Sequence, residues 1–400
     1  MRVTLTALGG GDFYSCTWES IQALKEADMI LGAQRLLDSI PKSCTDFRVA
    51  GHDPEILLAR ILEADVEEAV VVYSGDTGFY SGTRLLVPLL EREDIDYRVL
   101  PGISSVQLLA SKLGVPWQDW NLVSAHGVDC NVLAEVMKGK STCFLTGGRL
   151  KPETICGILN DAGLGFLEAV VGSDLTYPNE ELVRGTISQL AVHKFPTLSV
   201  LLVDPAPLYP KRTPGIPDSA FLRGDVPLSK QPIRAAALSQ MQVAPNDIIW
   251  DIGAGTGGVS VELALAANEG TVYSVERNPD ACQLVARNRE KFCAWNLELI
   301  EGEAPEVLES LPAPDKVFIG GSGGEFRAIL ETVLEKNPDA LVCADAIAME
   351  TVTEAWSSMS ALDLDPHVLQ ISAAATKPAG KLHLLLSNNP AFLIVGNEND

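Results

Sequence analysis

Positive charge is scarce in this chain: 30 Lys and Arg stand against 53 Asp and Glu over 400 residues, a formal net charge of -23. Nucleic-acid binders draw much of their affinity from Lys and Arg neutralising phosphates, so no nucleic-acid partner is expected. Docking on an anionic membrane surface is disfavoured for the same reason. Long apolar runs are missing too. LSVLLV at 198–203 is among the longest, far short of the ~20 residues that span a bilayer. The opening MRVTLTALGGGDFYS has no charged segment leading into a long apolar one, so no signal peptide is expected. The eight cysteines form no C-x-x-C pair. Buried, reduced thiols in a cytoplasmic protein are the reading that follows. The five histidines, at 52, 126, 193, 367 and 383, show neither H-x-x-x-H nor H-E-x-x-H spacing, which leaves a metal site unsupported. No short-period repeat is visible.

What is present is globular protein: 46% hydrophobic and 21% charged residues. The length suggests two domains. Seven of the 24 prolines fall between 205 and 232. Proline removes a backbone donor and fixes φ, so 205–226 reads as a semi-extended linker. Residues 1–204 then form one domain and 227–400 another. In the first, apolar runs at 3–9, 29–32, 68–75, 96–102, 121–127, 143–148 and 167–172 alternate with helical patterns. Such alternation predicts a mostly parallel sheet covered on both faces. The second restarts the pattern at DIIWDIG (247–253), and its last runs, KLHLLLSN and AFLIVGN, read as an antiparallel pair. That is a doubly wound domain with an antiparallel edge, so the fold class is α/β throughout.

The strongest motif is IIWDIGAGTGGVSVELA (248–264). A buried strand ends at Asp251, and Gly253, Gly255, Gly257 and Gly258 turn the chain into a helix. Glycine suits a backbone that turns tightly under an approaching ligand. Gly253, Gly255 and Gly258 also fit the G-x-G-x-x-G of NAD sites, and a turn without any ligand is the bland alternative. Two features favour S-adenosylmethionine (SAM). Asp251, two residues before the first glycine, can meet a cationic methionine end. Glu276, closing the next strand, can accept from both ribose hydroxyls. Gly320 to Gly324, after the fourth strand, are either a plain loop or N–H donors for a substrate carboxylate, with Gly321, Ser322 and Gly323 as candidate contacts.

Residues 227–400 resemble class I SAM-dependent methyltransferases. PLSKQPIRAAAL (227–238), EGEAPEVL (301–308) and FIGGSGGE (318–325) narrow the resemblance to the branch acting on carbon 15 of precorrins. It implies SAM contacts at Ser229, Gly253, Ala254, Gly255, Thr256, Gly257, Glu276 and Ala304. That branch often has Thr at the position of Ser229 and Asp at that of Glu276.

The first half carries Gly9-Gly10-Gly11-Asp12, SGDTGFYSG (74–82), PGISSVQLLASKLGVPW (101–117), SAHG (124–127) and LTGG (145–148). Each follows an apolar strand, which brings all five to one edge of a parallel sheet. Together they resemble the tetrapyrrole methylases, or class III methyltransferases, and LGAQRLL (31–37) resembles their carbon 5 branch. The resemblance implies SAM contacts at Gly10, Gly75, Asp76, Ser104 and Ser105. Two loop prolines usual in that family are absent, and Thr77 stands where one belongs. Arg35, within LGAQRLL, is either a solvated helix arginine or a partner for substrate carboxylates, to which a planar guanidinium is suited.

Both halves therefore resemble methylases of cobalamin biosynthesis. Jointly they imply a fused, bifunctional chain that methylates a precorrin at carbons 5 and 15 and decarboxylates the ring C acetate. Two SAM sites, one per domain, a tetrapyrrole partner and a homo-oligomer are expected. The alternative is one active C-terminal methyltransferase whose N-terminal half only binds and passes on the tetrapyrrole. Enamine-like ring carbons need little acid–base help, and no catalytic residue is assigned.

Overall fold

The computed structural model describes residues 1–127, 129–210 and 214–397. They divide into two compact units, the first drawn mainly from residues 1–205 and the second mainly from 206–397.

The first unit holds two five-stranded sheets. β1 (Arg2–Ala7), β2 (Met29–Gly32), β3 (Arg48–Ala50), β4 (Glu68–Tyr73) and β5 (Asp96–Val99) run parallel in the order β3-β2-β4-β1-β5. Its central strand β4 is apolar on both faces, as period-2 geometry requires when both are covered. Ala69 and Val71 of β4 join Val3 and Leu5 in one core, while Val70 and Val72 join Ile30 in the opposite one. β6 (Asn121–Ser124), β7 (Thr142–Leu145), β8 (Glu168–Ser173), β9 (Glu181–Thr186) and β10 (Ser199–Val203) make the other sheet, ordered β6-β7-β10-β8-β9. Here only β6 and β7 are parallel; β10 lies antiparallel between β7 and β8, and β8 and β9 form a hairpin. The single parallel edge expected for all five loops is thus two edges on two sheets. Joining β8 to β9 takes seven residues, too few for a parallel crossover.

The helix Ser105–Leu113 starts with a capping box of Ser104 and Gln107 and stops at Gly114, φ +70°. Its Val106 and Leu109 pack on Cys143, Val200 and Leu202 of the second sheet.

The second unit is a seven-stranded sheet of β11 (Ile248–Ile252), β12 (Thr271–Glu276), β13 (Leu297–Glu301), β14 (Lys316–Ile319), β15 (Leu341–Ala346), β16 (His367–Ile371) and, after a ribbon of β17 (Ala374–Ala379) and β18 (Leu382–Ser387), β19 (Ala391–Gly396). The order is β13-β12-β11-β14-β15-β19-β16, with β19 antiparallel to both neighbours. The terminal pairing therefore differs from the expected one. β19 inserts between β15 and β16, and β18 pairs with β17 apart from the main sheet. Leu393 and Val395 fill one core and Ile394 the other, whereas the β18 leucines are exposed. Burial of both β19 faces explains the insertion.

The proline-rich stretch is anchored along much of its length. Ile216 and Phe221 sit in the core of the second unit. The backbone N–H groups of Gly215 and Ile216 donate to Glu262, and the Arg234 guanidinium donates to the Ile216 carbonyl. The prolines leave the stretch little regular structure beyond a short 3₁₀ turn at Asp218–Ala220, yet it packs.

Candidate functional sites

The reversal of strand order between β11 and β14 opens a crevice at the carboxyl edge of the second unit's sheet, the place where such folds bind ligands. A cavity of about 380 Å³ occupies it. Ser229, Asp251, Gly253, Ala254, Gly255, Thr256, Glu276, Ala304, Gly321, Ser322 and Gly323 line its wall. Gly257 does not. It takes φ +76° at the start of the helix Gly258–Ala266, and a Cβ there would stand 3.2 Å from Val285. Gly253, at φ +74°, runs so close to Gly321 that a Cβ would meet its carbonyl oxygen at 2.6 Å. Both positions are thus glycine for steric reasons.

Glu276 is held by three backbone donors. Its Oε2 accepts from Gly255 N (2.8 Å), and Oε1 from Arg277 N (2.9 Å) and Asn278 N (2.8 Å). Lone pairs remain for further donors. Asp251 is 1% exposed. Its Oδ2 accepts from Ser260 Oγ, while Oδ1 is buried without a partner. Burial pushes this carboxyl up to about 7, the Ser260 hydrogen bond opposing and the Glu276 charge adding. An orphaned acid at the cavity wall fits a ligand carrying positive charge. Ser229 donates to Asp345 Oδ2 (3.0 Å), which leaves its oxygen lone pairs available. Burial also raises Asp345, against that hydrogen bond. Arg277 is the one basic residue among the described lining residues, ion-paired with Glu303. The sequence pattern had not singled it out.

In the first unit a cavity of about 310 Å³ is lined by Gly10, Arg35, Gly75, Asp76, Ser104 and Ser105. All six expected residues meet there. Gly75 donates to Gly9 O (2.7 Å). Asp76 ties two loops together, accepting from Gly78 N and Gly102 N at 2.9 Å each. A Cβ on Gly102 would lie 2.3 Å from Gly75 O, and one on Gly10 2.3 Å from Thr176 Oγ1. Thr77, in place of the family's proline, is 6% exposed and donates to Leu100 O at 2.9 Å. A side-chain hydrogen bond thus secures this turn without a ring. Arg35 donates to Tyr177 Oη at 2.8 Å and is exposed.

The cavity also takes in His126, Thr146, Asp174 and Tyr177. His126 and Thr146 belong to loops legible as SAHG and LTGG. Asp174 and Tyr177 sit on the β8–β9 connection, which no motif marked.

Residues 220–395 match the family described as precorrin methyltransferase domain, and residues 2–191 the tetrapyrrole (corrin/porphyrin) methylases. The chain is 39% identical to a probable cobalt-precorrin-6B C(15)-methyltransferase (decarboxylating) of Pyrobaculum calidifontis, over 46% of this chain and 97% of that one. It is 28% identical to a precorrin-6Y C(5,15)-methyltransferase [decarboxylating] of Sinorhizobium sp, over 90% of this chain and 88% of the relative. A crystal structure titled precorrin-6y C5,15-methyltransferase, from Geobacter metallireducens GS-15, matches at 34% identity and a TM-score of 0.44, over 45% of this chain and 95% of that one.

Proposed function

The chain belongs to the precorrin-6Y/6B C5,15-methyltransferase (decarboxylating) family, and from that premise we propose how its two units divide the work. The enzyme carries out SAM-dependent methylation of a precorrin-6 type substrate at carbons 5 and 15, with decarboxylation, in cobalamin biosynthesis. Residues 1–204 act at carbon 5. Residues 227–400 act at carbon 15 and release carbon dioxide. Each unit has its own SAM site.

The observation that carries this reading is a pair of separate glycine-built cavities, each beside a carboxylate held by backbone N–H groups. Bound SAM supplies an electrophilic methyl on a good leaving group. In the second unit Glu276 accepts from the ribose hydroxyls, Asp251 faces the cationic end, and Ser229 offers an oxygen acceptor. The Gly320–Gly324 loop and Arg277 take substrate carboxylates. In the first unit Gly10, Gly75, Asp76, Ser104 and Ser105 cradle SAM, and Arg35 pairs with a substrate carboxylate. Their common task is to hold carbon, methyl and sulfur in line near ~3–3.5 Å.

Calorimetry of the intact chain with SAM tests the assignment. Two sites per chain are expected. One site would favour an N-terminal unit that only passes on the tetrapyrrole. Mass spectrometry of precorrin-6B incubated with SAM and enzyme should show two added methyls and one lost carboxyl.

We further propose a homo-oligomer joined through the β17–β18 ribbon, where Leu382, Leu384, Leu385 and Leu386 are 48–70% exposed. Clustered exposed leucines favour an interaction surface. Leu385→Lys should lower the mass measured by light scattering. A cytoplasmic location is supported by the buried free thiols of Cys143, Cys156, Cys282 and Cys343. Among the described residues no helix is long and apolar enough to cross a membrane.

A further inference from the structure

We propose that His126 is the general base of the first unit, taking the proton from the ring carbon that receives the methyl group there. The inference rests on the assignment of carbon 5 methylation to that unit.

The imidazole lines the same cavity as Gly10, Gly75, Asp76, Ser104 and Arg35. Its Nδ1 lies 3.2 Å from the Thr146 carbonyl oxygen. A carbonyl only accepts, so Nδ1 carries the hydrogen in this contact. Neutral imidazole then has its free lone pair on Nε2, the tautomer a base needs. Gly147 makes the placement possible: a Cβ there would stand 1.8 Å from His126 Nδ1. The glycine of LTGG thus seats the histidine of SAHG, two loops whose pairing the sequence does not reveal.

The other titratable groups on this cavity are Arg35, Asp76, Tyr80, Asp174 and Tyr177. Asp76 already accepts a backbone N–H on each oxygen, which commits it to bracing the loops. Asp174 accepts from Asn179, and Tyr177 from Arg35. Arg35 is a cation and cannot serve. Tyr80 offers a phenol, whose O–H is a donor.

The chemistry requires a base at some point. A ring π pair forms the new carbon–carbon bond, and the methyl–sulfur bond breaks with its pair left on sulfur. The ring is then cationic and its methylated carbon still bears hydrogen. When Nε2 takes that proton, the C–H pair returns to the ring and conjugation is restored. The imidazolium passes its proton to solvent, to which His126 is exposed.

The test follows methyl additions to precorrin-6B by mass spectrometry with the intact chain and SAM. His126→Gln should leave SAM stoichiometry, one methylation and decarboxylation intact. The other methylation should lose about 100-fold in kcat, with KM changed less than about threefold. His126→Ala should regain at least about tenfold when imidazole is added. Wild-type rates in both variants would remove His126 from the mechanism and leave the division of labour standing. So would a loss carried by KM that imidazole does not relieve. A wild-type enzyme that adds no methyl at carbon 5 would overturn the unit assignment, and this proposal with it.

Discussion

Asp76 in the first unit and Glu276 in the second stand in comparable places, each near the carboxyl end of a parallel strand and each accepting backbone N–H groups on both oxygens. They brace different things. Asp76 joins its own turn to Gly102, 26 residues away in the chain. Glu276 joins the glycine loop after β11 to the turn that follows β12. One cavity is assembled from loops of two sheets, the other mainly from the loops along one sheet edge. An assembled site depends on its ties, while a one-edge site depends on how its buried charges are supported.

The largest expected effect strikes that support. Arg234 is fully buried, with Nε on Glu262 (2.7 Å) and Nη1 on Asp218 (2.8 Å), and its guanidinium carbon 4.7 Å from the Phe221 ring centroid. Arg234→Ala strands the buried Glu262 carboxylate, which should cost ~3–5 kcal/mol. Scanning calorimetry should show the second unit's transition fall and the first unit's stay. A shift of both would mean that the units do not unfold separately.

Asp251 sharpens the contrast through pH. The unfolded carboxyl ionises near ~4, the folded one at about 7. Between those values the folded form holds the proton more strongly, so stability of the second unit falls as pH rises through the window and levels off above it. Asp251→Asn should flatten this dependence in urea titrations at pH 5 and 7.5. An unchanged slope would show that another group carries it.

Removing either bracing carboxylate should act on its own site only. Glu276→Ala should weaken SAM binding at one of two sites at least about tenfold, since hydrogen bonds to charged groups contribute ~1.5–3 kcal/mol each. Asp76→Ala should do the same at the other site. Calorimetry showing both sites weakened by one substitution would break the independence. The smallest effect belongs to Thr77→Val, which removes one hydrogen bond to Leu100 O. It should destabilise the first unit by ~1 kcal/mol and loosen SAM binding there a fewfold, measured by denaturation and titration. No change would mean that this turn is held without it.

Legibility followed the range of the interactions. The 248–264 motif was readable because its spacing is local: strand, turn and helix lie within one short stretch, and each loop glycine answers a backbone need. Seating the Gly320–Gly324 loop over Gly253 needed only the strand order. The insertion of β19 between β15 and β16 was not readable, since HVLQI has no strong pattern and AFLIVG could pair with any neighbour. Nor was the packing of Gly215, Ile216 and Phe221 on the second unit. Prolines disfavour regular structure but say nothing about burial, and the Glu262 carboxylate that captures the Gly215 and Ile216 N–H groups lies some 46 residues away. A cut to separate the units therefore belongs near Pro205, ahead of the packed segment.

Local chemistry in the sequence determined that this is an acidic, two-domain α/β chain with two glycine-loop clusters and a carboxylate beside each. Those features depend on residues within a turn or two of one another. Tertiary structure alone decided that Asp251 is an orphaned acid, that Thr77 does the work of a missing proline, and that Gly147 seats His126 against the cavity. Each of these depends on what a distant segment brings within hydrogen-bond reach or removes from water. Burial and close approach belong to the packed chain, and spacing along the sequence does not encode them.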